Sequence, residues 1–269
     1  MKIRGRSNTI YATVTFLIAL VAGKLFNISP YLPMYLCIFF CIITCILSFS
    51  FYEVKTTIKE DKGEETRTQE SKLSKIVILG LLSNTIFLGV VIIGQQDSKL
   101  FIQYQLTDWY GIGLTATYLS WIVAASRVIR IGLNMLFNKY YSKLKNQVPI
   151  ILSTILVFAF VLIVLGAILP LASVIKVLLM SLGFGLIIPM RDTFVIYMED
   201  LLLKNSKKEQ QQEIFTNMEL IRKLGKIVMN LCISLLLLKI DLYYIMYLFM
   251  IIAVIEIALS ARIVRLRKI

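Results

Sequence analysis

Three observations predict an all-α fold, a polytopic membrane helix bundle of about eight transmembrane helices. The chain of 269 residues is 58% hydrophobic, with a mean hydropathy of +0.79. Its apolar runs approach or exceed the roughly 20 residues that cross a bilayer as a helix. They lack period-two alternation, which argues against a membrane barrel, and unpaired backbone groups cost too much in hydrocarbon for other spanning geometries. The basic residues gather in alternate polar breaks, a pattern that orients a membrane protein.

In chain order the runs fall at 10–28, 31–51, 76–94, 114–137, 148–168, 172–197, 214–238 and 243–261. The third can extend toward Tyr104, because Phe101, Ile102 and Tyr104 continue its apolar character. An even number of spans puts both termini on one side. That side collects Lys2, Arg4 and Arg6 and the basic residues of 55–75, 139–145, 204–226 and 262–268, whereas the other holds only Lys24, Lys99, Lys176 and Lys239. Read by the positive-inside rule, the chain is multi-pass in the cell membrane with both termini cytoplasmic. The first run is long enough to span, carries Lys24 near its far end and lacks a small-residue cleavage site, so it reads as a span and not as a signal peptide.

A net charge of +13 in a soluble protein would point to nucleic acid. Here no segment interleaves Lys or Arg with aromatics as a nucleic-acid surface does, so the lipid bilayer is the expected partner and nucleic acid is not. There are four cysteines and no histidine. Cys37, Cys41 and Cys45 share one helix face. With no histidine or acidic residue near them, they read as small packing groups and not as a metal stripe. No metal and no cofactor is expected. Neither is an enzyme, since the chain lacks a Gly-rich phosphate loop, a histidine base and paired carboxylates at membrane depth.

Ionisable groups inside spans are costly, which makes them candidates for function. Ser120, Arg127 and Asn134 repeat every seven residues in the fourth span, with Ala124 and Arg130 beside them, and this face should point into the bundle or a water-filled cavity. Arg130 lies about seven residues, roughly 10 Å, from the cytoplasmic end near Phe137, and reads as a snorkelling side chain. Arg127 is a turn deeper. Snorkelling and presentation to an anionic substrate or a moving carboxylate are equally open to it. In the sixth span, Pro189 should bend the helix beside Arg191 and Asp192. These two read as an ion pair near the cytoplasmic mouth in preference to a gate or protonatable site. Asn84 suits a cavity or an interhelical hydrogen bond, and Glu256, near the cytoplasmic end of the last span, can reach the interface. Asn84, Ser120, Arg127 and Asn134 are therefore the substrate-pathway candidates, and Arg191, Asp192 and Glu256 those for gating or coupling.

Residues 52–75 balance acidic and basic side chains and read as a solvated cytoplasmic linker. They separate two helices in 1–51 from six in 76–269. Ile28-Ser-Pro-Tyr-Leu-Pro-Met34 makes a short outer connection. Residues 134–143 echo a Gly-x-x-x-Asp-Arg/Lys-x-Gly-Arg/Lys-Arg/Lys loop. Lys139 and Lys143 match it, while Asn134, Asn138 and Tyr141 replace its glycine, aspartate and second glycine. With Gly183-Phe-Gly185, Pro189-Met-Arg-Asp192 and Glu219-Leu-Ile-Arg-Lys-Leu-Gly225, this order of segments resembles the major facilitator superfamily from its fifth helix to its twelfth. The resemblance makes 1–51 the last two helices of an N-terminal half, 52–75 the central loop and 76–269 a six-helix C-terminal half. It implies secondary transport of a small solute by alternating access, efflux being one form, with the third, fourth, sixth and seventh helices lining the path. It also implies that four helices of the first half are missing. The alternative is a truncated or split subunit that does not transport alone and assembles with a chain supplying those helices.

Overall fold

A computed structural model describes residues 2–48, 75–144, 147–206 and 211–267. The 52–75 linker lies outside the described residues except for Lys75, as do Lys145, Lys207, Lys208 and Lys268. Among the described residues eight helices follow the eight apolar runs: α1 Lys2–Ile28, α2 Leu32–Ser48, α3 Lys75–Tyr110, α4 Ile112–Leu144, α5 Val148–Ile168, α6 Ser173–Lys204, α7 Gln211–Leu237 and α8 Leu242–Arg267. Among the described residues there is no strand. Helices α3, α4, α5, α6 and α8 are long and apolar enough to cross a membrane, and the chain is an all-α membrane protein. The apolar parts of α1 and α2, Thr13–Ile28 and Leu32–Ile46, are shorter, and α7 carries its charges between Glu213 and Lys226, with an uncharged stretch from Ile227 to Leu237.

Local chemistry sets several of the helix ends. Pro149 stands in the first turn of α5, where its missing N–H breaks no helical bond. Leu169 after α5 is extended, with φ −65° and ψ 139°, as suits the residue before Pro170. Gly111 alone separates α3 from α4, at a φ of +76° that other residues rarely adopt.

Two helices outrun their sequence-predicted ends. Helix α3 has 36 residues, roughly 54 Å at 1.5 Å per residue. The polar stretch Gln95-Gln-Asp-Ser98 looks like an exit from the membrane, yet Asp97 and Ser98 are buried, and Phe101, Ile102 and Leu106 beyond them are fully buried. The inward face therefore continues past the predicted limit. Helix α4 likewise runs to Leu144, so the loop-like segment 134–143 is helical. Helix α6 is helical through Pro189, which is buried.

The core lies between α3, α4, α5, α6 and α8. Helices α5 and α6 pack most closely: a Cβ at Gly183 would lie 2.5 Å from the Ala159 carbonyl oxygen, so only a glycine allows this approach. Phe87 of α3 stacks on Phe194 of α6 with ring centroids 3.8 Å apart. Helix α1 packs along α4, where Asn27 donates to Thr117 Oγ1 at 2.9 Å. Helix α2 packs mainly on α1, and α7 mainly on α3. Both leave long apolar flanks exposed, including Ile38, Phe39 and Ile42 on α2 and Leu224, Ile227 and Leu231 on α7. Lipid can cover such flanks. The cysteines expected to pack, Cys37, Cys41 and Cys45, are instead exposed on α2.

Candidate functional site

Helix α7 is the most amphipathic of the eight. Glu219, Arg222, Lys223 and Lys226 recur at three- and four-residue spacings and so share one face. Lys226 sits near the middle of the 27-residue helix, roughly 22 Å from Gln211 at 1.5 Å per residue. This face borders a cavity of about 500 Å³. Its polar wall is Arg191 and Asp192 of α6 with Arg222, Lys223 and Lys226 of α7, and its apolar wall is Leu88, Gly89 and Ile92 of α3 with Val195 and Ile196 of α6. A Cβ at Gly89 would lie 2.8 Å from the Met229 sulfur, so α3 and α7 touch directly beside it.

Behind the polar wall lies an ion pair inside the bundle. Arg130 of α4 is only 2% exposed. Its Nε donates to Asp192 Oδ2 at 3.0 Å, and its Nη2 donates to the same oxygen. Arg191 Nη2 reaches the other oxygen, Oδ1, at 3.3 Å. The expected Arg191–Asp192 pair is thus present, but the principal partner of Asp192 is Arg130. The snorkelling expected of Arg130 does not occur: its side chain is buried between α4 and α6 and its guanidinium is directed to Asp192. Asp192 supplies the countercharge instead.

A second polar cluster is sealed. Glu256 of α8, expected to reach the interface, is fully buried. Its Oε1 accepts hydrogen bonds from Ser83 of α3 and from Ser260 at 3.3 Å. The Ser260 hydroxyl lies 3.4 Å from that of Ser153 on α5, so three helices meet at one carboxyl group. Glu256 Oε2 and the neighbouring Asn84 Oδ1 find no hydrogen-bond partner among the described residues.

The remaining candidates are dispersed. Ser120 donates to the Thr117 carbonyl at 2.8 Å and lines a second cavity of about 480 Å³, between α1, α2, α3 and α4, with Gly23, Phe26, Lys99 and Gln103. Asn84 is buried, Arg127 and Asn134 are half-buried, and none of the three lines either cavity. The stripe of Ser120, Arg127 and Asn134 therefore does not converge on one path. Sequence reasoning missed Ser83, Asp97 and the α7 cations as site residues. For the cations a signal exists: Arg222, Lys223 and Lys226 fall inside the 214–238 run, yet they read equally well as charges of the cytoplasmic side.

Comparisons with protein families, with individual known proteins and with solved structures return no match. Function must therefore be argued from the site itself.

Proposed function

We propose that the protein is a secondary transporter of small solutes built on the plan of the major facilitator superfamily, with the cavity between α3, α6 and α7 as its solute path. The observation that carries this reading is a row of charged side chains bordering a cavity: Arg191 and Asp192 lie within α6, a helix long and apolar enough to cross a membrane, and Arg222, Lys223 and Lys226 on α7 beside it. Charges at that depth are expensive, and they persist where they line a water-filled path or carry function. The Arg130–Asp192–Arg191 chain links α4 to the cavity wall, an arrangement suited to transmitting a change of occupancy to the bundle. The protein sits in the cell membrane with both termini cytoplasmic, the orientation that the basic residues favour.

The open side of the cavity favours one refinement. Lys223 and Lys226 are exposed there, and lipid tails cannot solvate an ammonium group. Further helices from another membrane chain complete the path, so this chain acts as part of a transporter. The test is flux in proteoliposomes containing the purified chain, alone and together with partners that co-purify from its native membrane. Flux of any solute in a mixed panel of anionic, neutral and cationic compounds, abolished by Asp192→Asn, is the expected result. Flux that survives Asp192→Asn unchanged removes the proposed path, and no flux in either preparation removes the transport reading.

A further inference from the structure

We propose that the cavity between α3, α6 and α7 binds an anion, a solute or headgroup bearing a phosphate or carboxylate, through Arg191, Lys223 and Lys226. As a statement about the transported substrate this rests on the transport reading above; as a statement about binding it stands on the cavity alone.

The charge at the site is unbalanced. Among the described residues, the cavity is bordered by the cations Arg191, Arg222, Lys223 and Lys226 and the single carboxylate Asp192, with Glu219 beside Arg222. Asp192 is occupied mainly by Arg130 from behind the wall, and Glu219 is held by Arg222. Lys223 and Lys226 enter no ion pair among the described residues. Lys223 lies three residues from Lys226, and Arg222 four, spacings at which like charges on a helix repel. An isolated helix would gain by losing one of these cations. Their retention on the face that borders a cavity is explained by a ligand of opposite charge, which relieves the repulsion and accepts charge-assisted hydrogen bonds.

The shape agrees with the charge. About 500 Å³ is within the range of roughly 300 to 1,000 Å³ typical of small-molecule pockets. The apolar wall of Leu88, Ile92, Val195 and Ile196 faces the cations, so the site suits an amphipathic anion, charged at one end and apolar at the other. Arg191 offers a planar fork for two oxygens, whereas the two lysines act as point charges with rotatable donors. Its low-dielectric walls strengthen attraction relative to the same cluster in water.

The experiment uses the full chain in nanodiscs of phosphatidylcholine, with thermal unfolding followed in inorganic phosphate or citrate against sodium chloride of matched ionic strength. Binding to the folded state alone raises the midpoint in proportion to the logarithm of ligand concentration over Kd. Wild type is expected to be stabilised by phosphate or citrate beyond the chloride control. Lys223→Gln and Lys226→Gln, singly, are expected each to weaken apparent affinity about tenfold or more, as befits a lost hydrogen bond between charged groups. Lys226→Arg should retain most of the affinity. If phosphate and citrate stabilise no better than chloride, or if both glutamine variants respond as wild type does, the proposal is overturned. Nanodiscs containing phosphatidylglycerol separate the two sources of anion. A phosphate effect suppressed by that lipid in wild type identifies a headgroup as the occupant, and one that persists identifies a soluble anion. Binding without flux would retire the transport reading and leave the site, whereas flux of neutral or cationic solutes without anion binding would do the reverse.

Discussion

Glu256 and Lys226 both lie well inside long helices, yet their surroundings differ in kind. Glu256 has no exposed surface and receives hydroxyl donors from its own helix and from α3. Lys226 is exposed to a cavity and shares its face with two further cations. The first cluster is largely completed by the chain itself, and its effect is to fix α3, α5 and α8 against one another. The second is left with an excess of one charge. A polar group whose partners are built in serves architecture, and one whose partners are absent serves something that comes and goes.

Asp192 belongs to both worlds, since it lines the cavity and neutralises Arg130 behind it. Removing it should give the largest effect on stability. Asp192→Ala leaves a guanidinium buried with its principal countercharge gone, a change that costs about 3–5 kcal/mol. Chemical unfolding in nanodiscs should show this loss, and the double variant Arg130→Leu with Asp192→Leu should recover most of it, because a buried pair can be exchanged for apolar packing with little penalty. A loss under about 1 kcal/mol for Asp192→Ala, the scale of an exposed pair, would show that Arg130 is solvated and that cavity and interior are not separate environments.

The contrast between the two clusters is only half legible in the sequence. Helices are readable because an apolar run near membrane length has few other fates. Their ends are less so: Asp97 and Ser98 read as an exit from the membrane, and only the neighbouring helices show that they face inward. The partners of buried groups are not readable at all. Ser83 and Glu256 are 173 residues apart, Arg130 and Asp192 are 62 apart, and no local pattern links positions that only tertiary packing brings together. The α7 cations have a local pattern, the three- and four-residue spacing within an apolar run. That pattern is obscured because basic residues following a polar break in the sequence also signal orientation.

A middle-sized effect is expected at the sealed cluster. Glu256→Ala removes the acceptor of two hydroxyl donors and opens a void among three helices, for about 1–3 kcal/mol from the unsatisfied groups. Glu256→Gln preserves shape and an acceptor, so its unfolding midpoint should fall between those of wild type and the alanine variant. Equal losses for both variants would mean that neither the retained shape nor an amide acceptor replaces the carboxyl group, so that packing contributes little to holding α8 to α3 at this point. Anion-dependent stabilisation should be the same in wild type and in Glu256→Gln, since the cluster lies outside the cavity wall.

The smallest effect on stability, and the most direct test of the contrast, comes from thiols placed at the two positions. With Cys37, Cys41, Cys45 and Cys232 replaced by alanine, Lys226→Cys should change the unfolding free energy by no more than about 0.5 kcal/mol, because the side chain is exposed and in no ion pair among the described residues. A charged, water-soluble maleimide should label it readily if water fills the cavity. The same reagent should leave Glu256→Cys untouched in folded protein and modify it only after denaturation. Phosphate or citrate bound at Arg191 and Lys223 should slow labelling at position 226 and have no influence at 256. Equal labelling at both positions would abolish the distinction between a sealed carboxyl and an open basic cavity. An unreactive thiol at position 226 would place that face of α7 against lipid or a partner helix, where a lysine must be neutralised by a group from outside the chain.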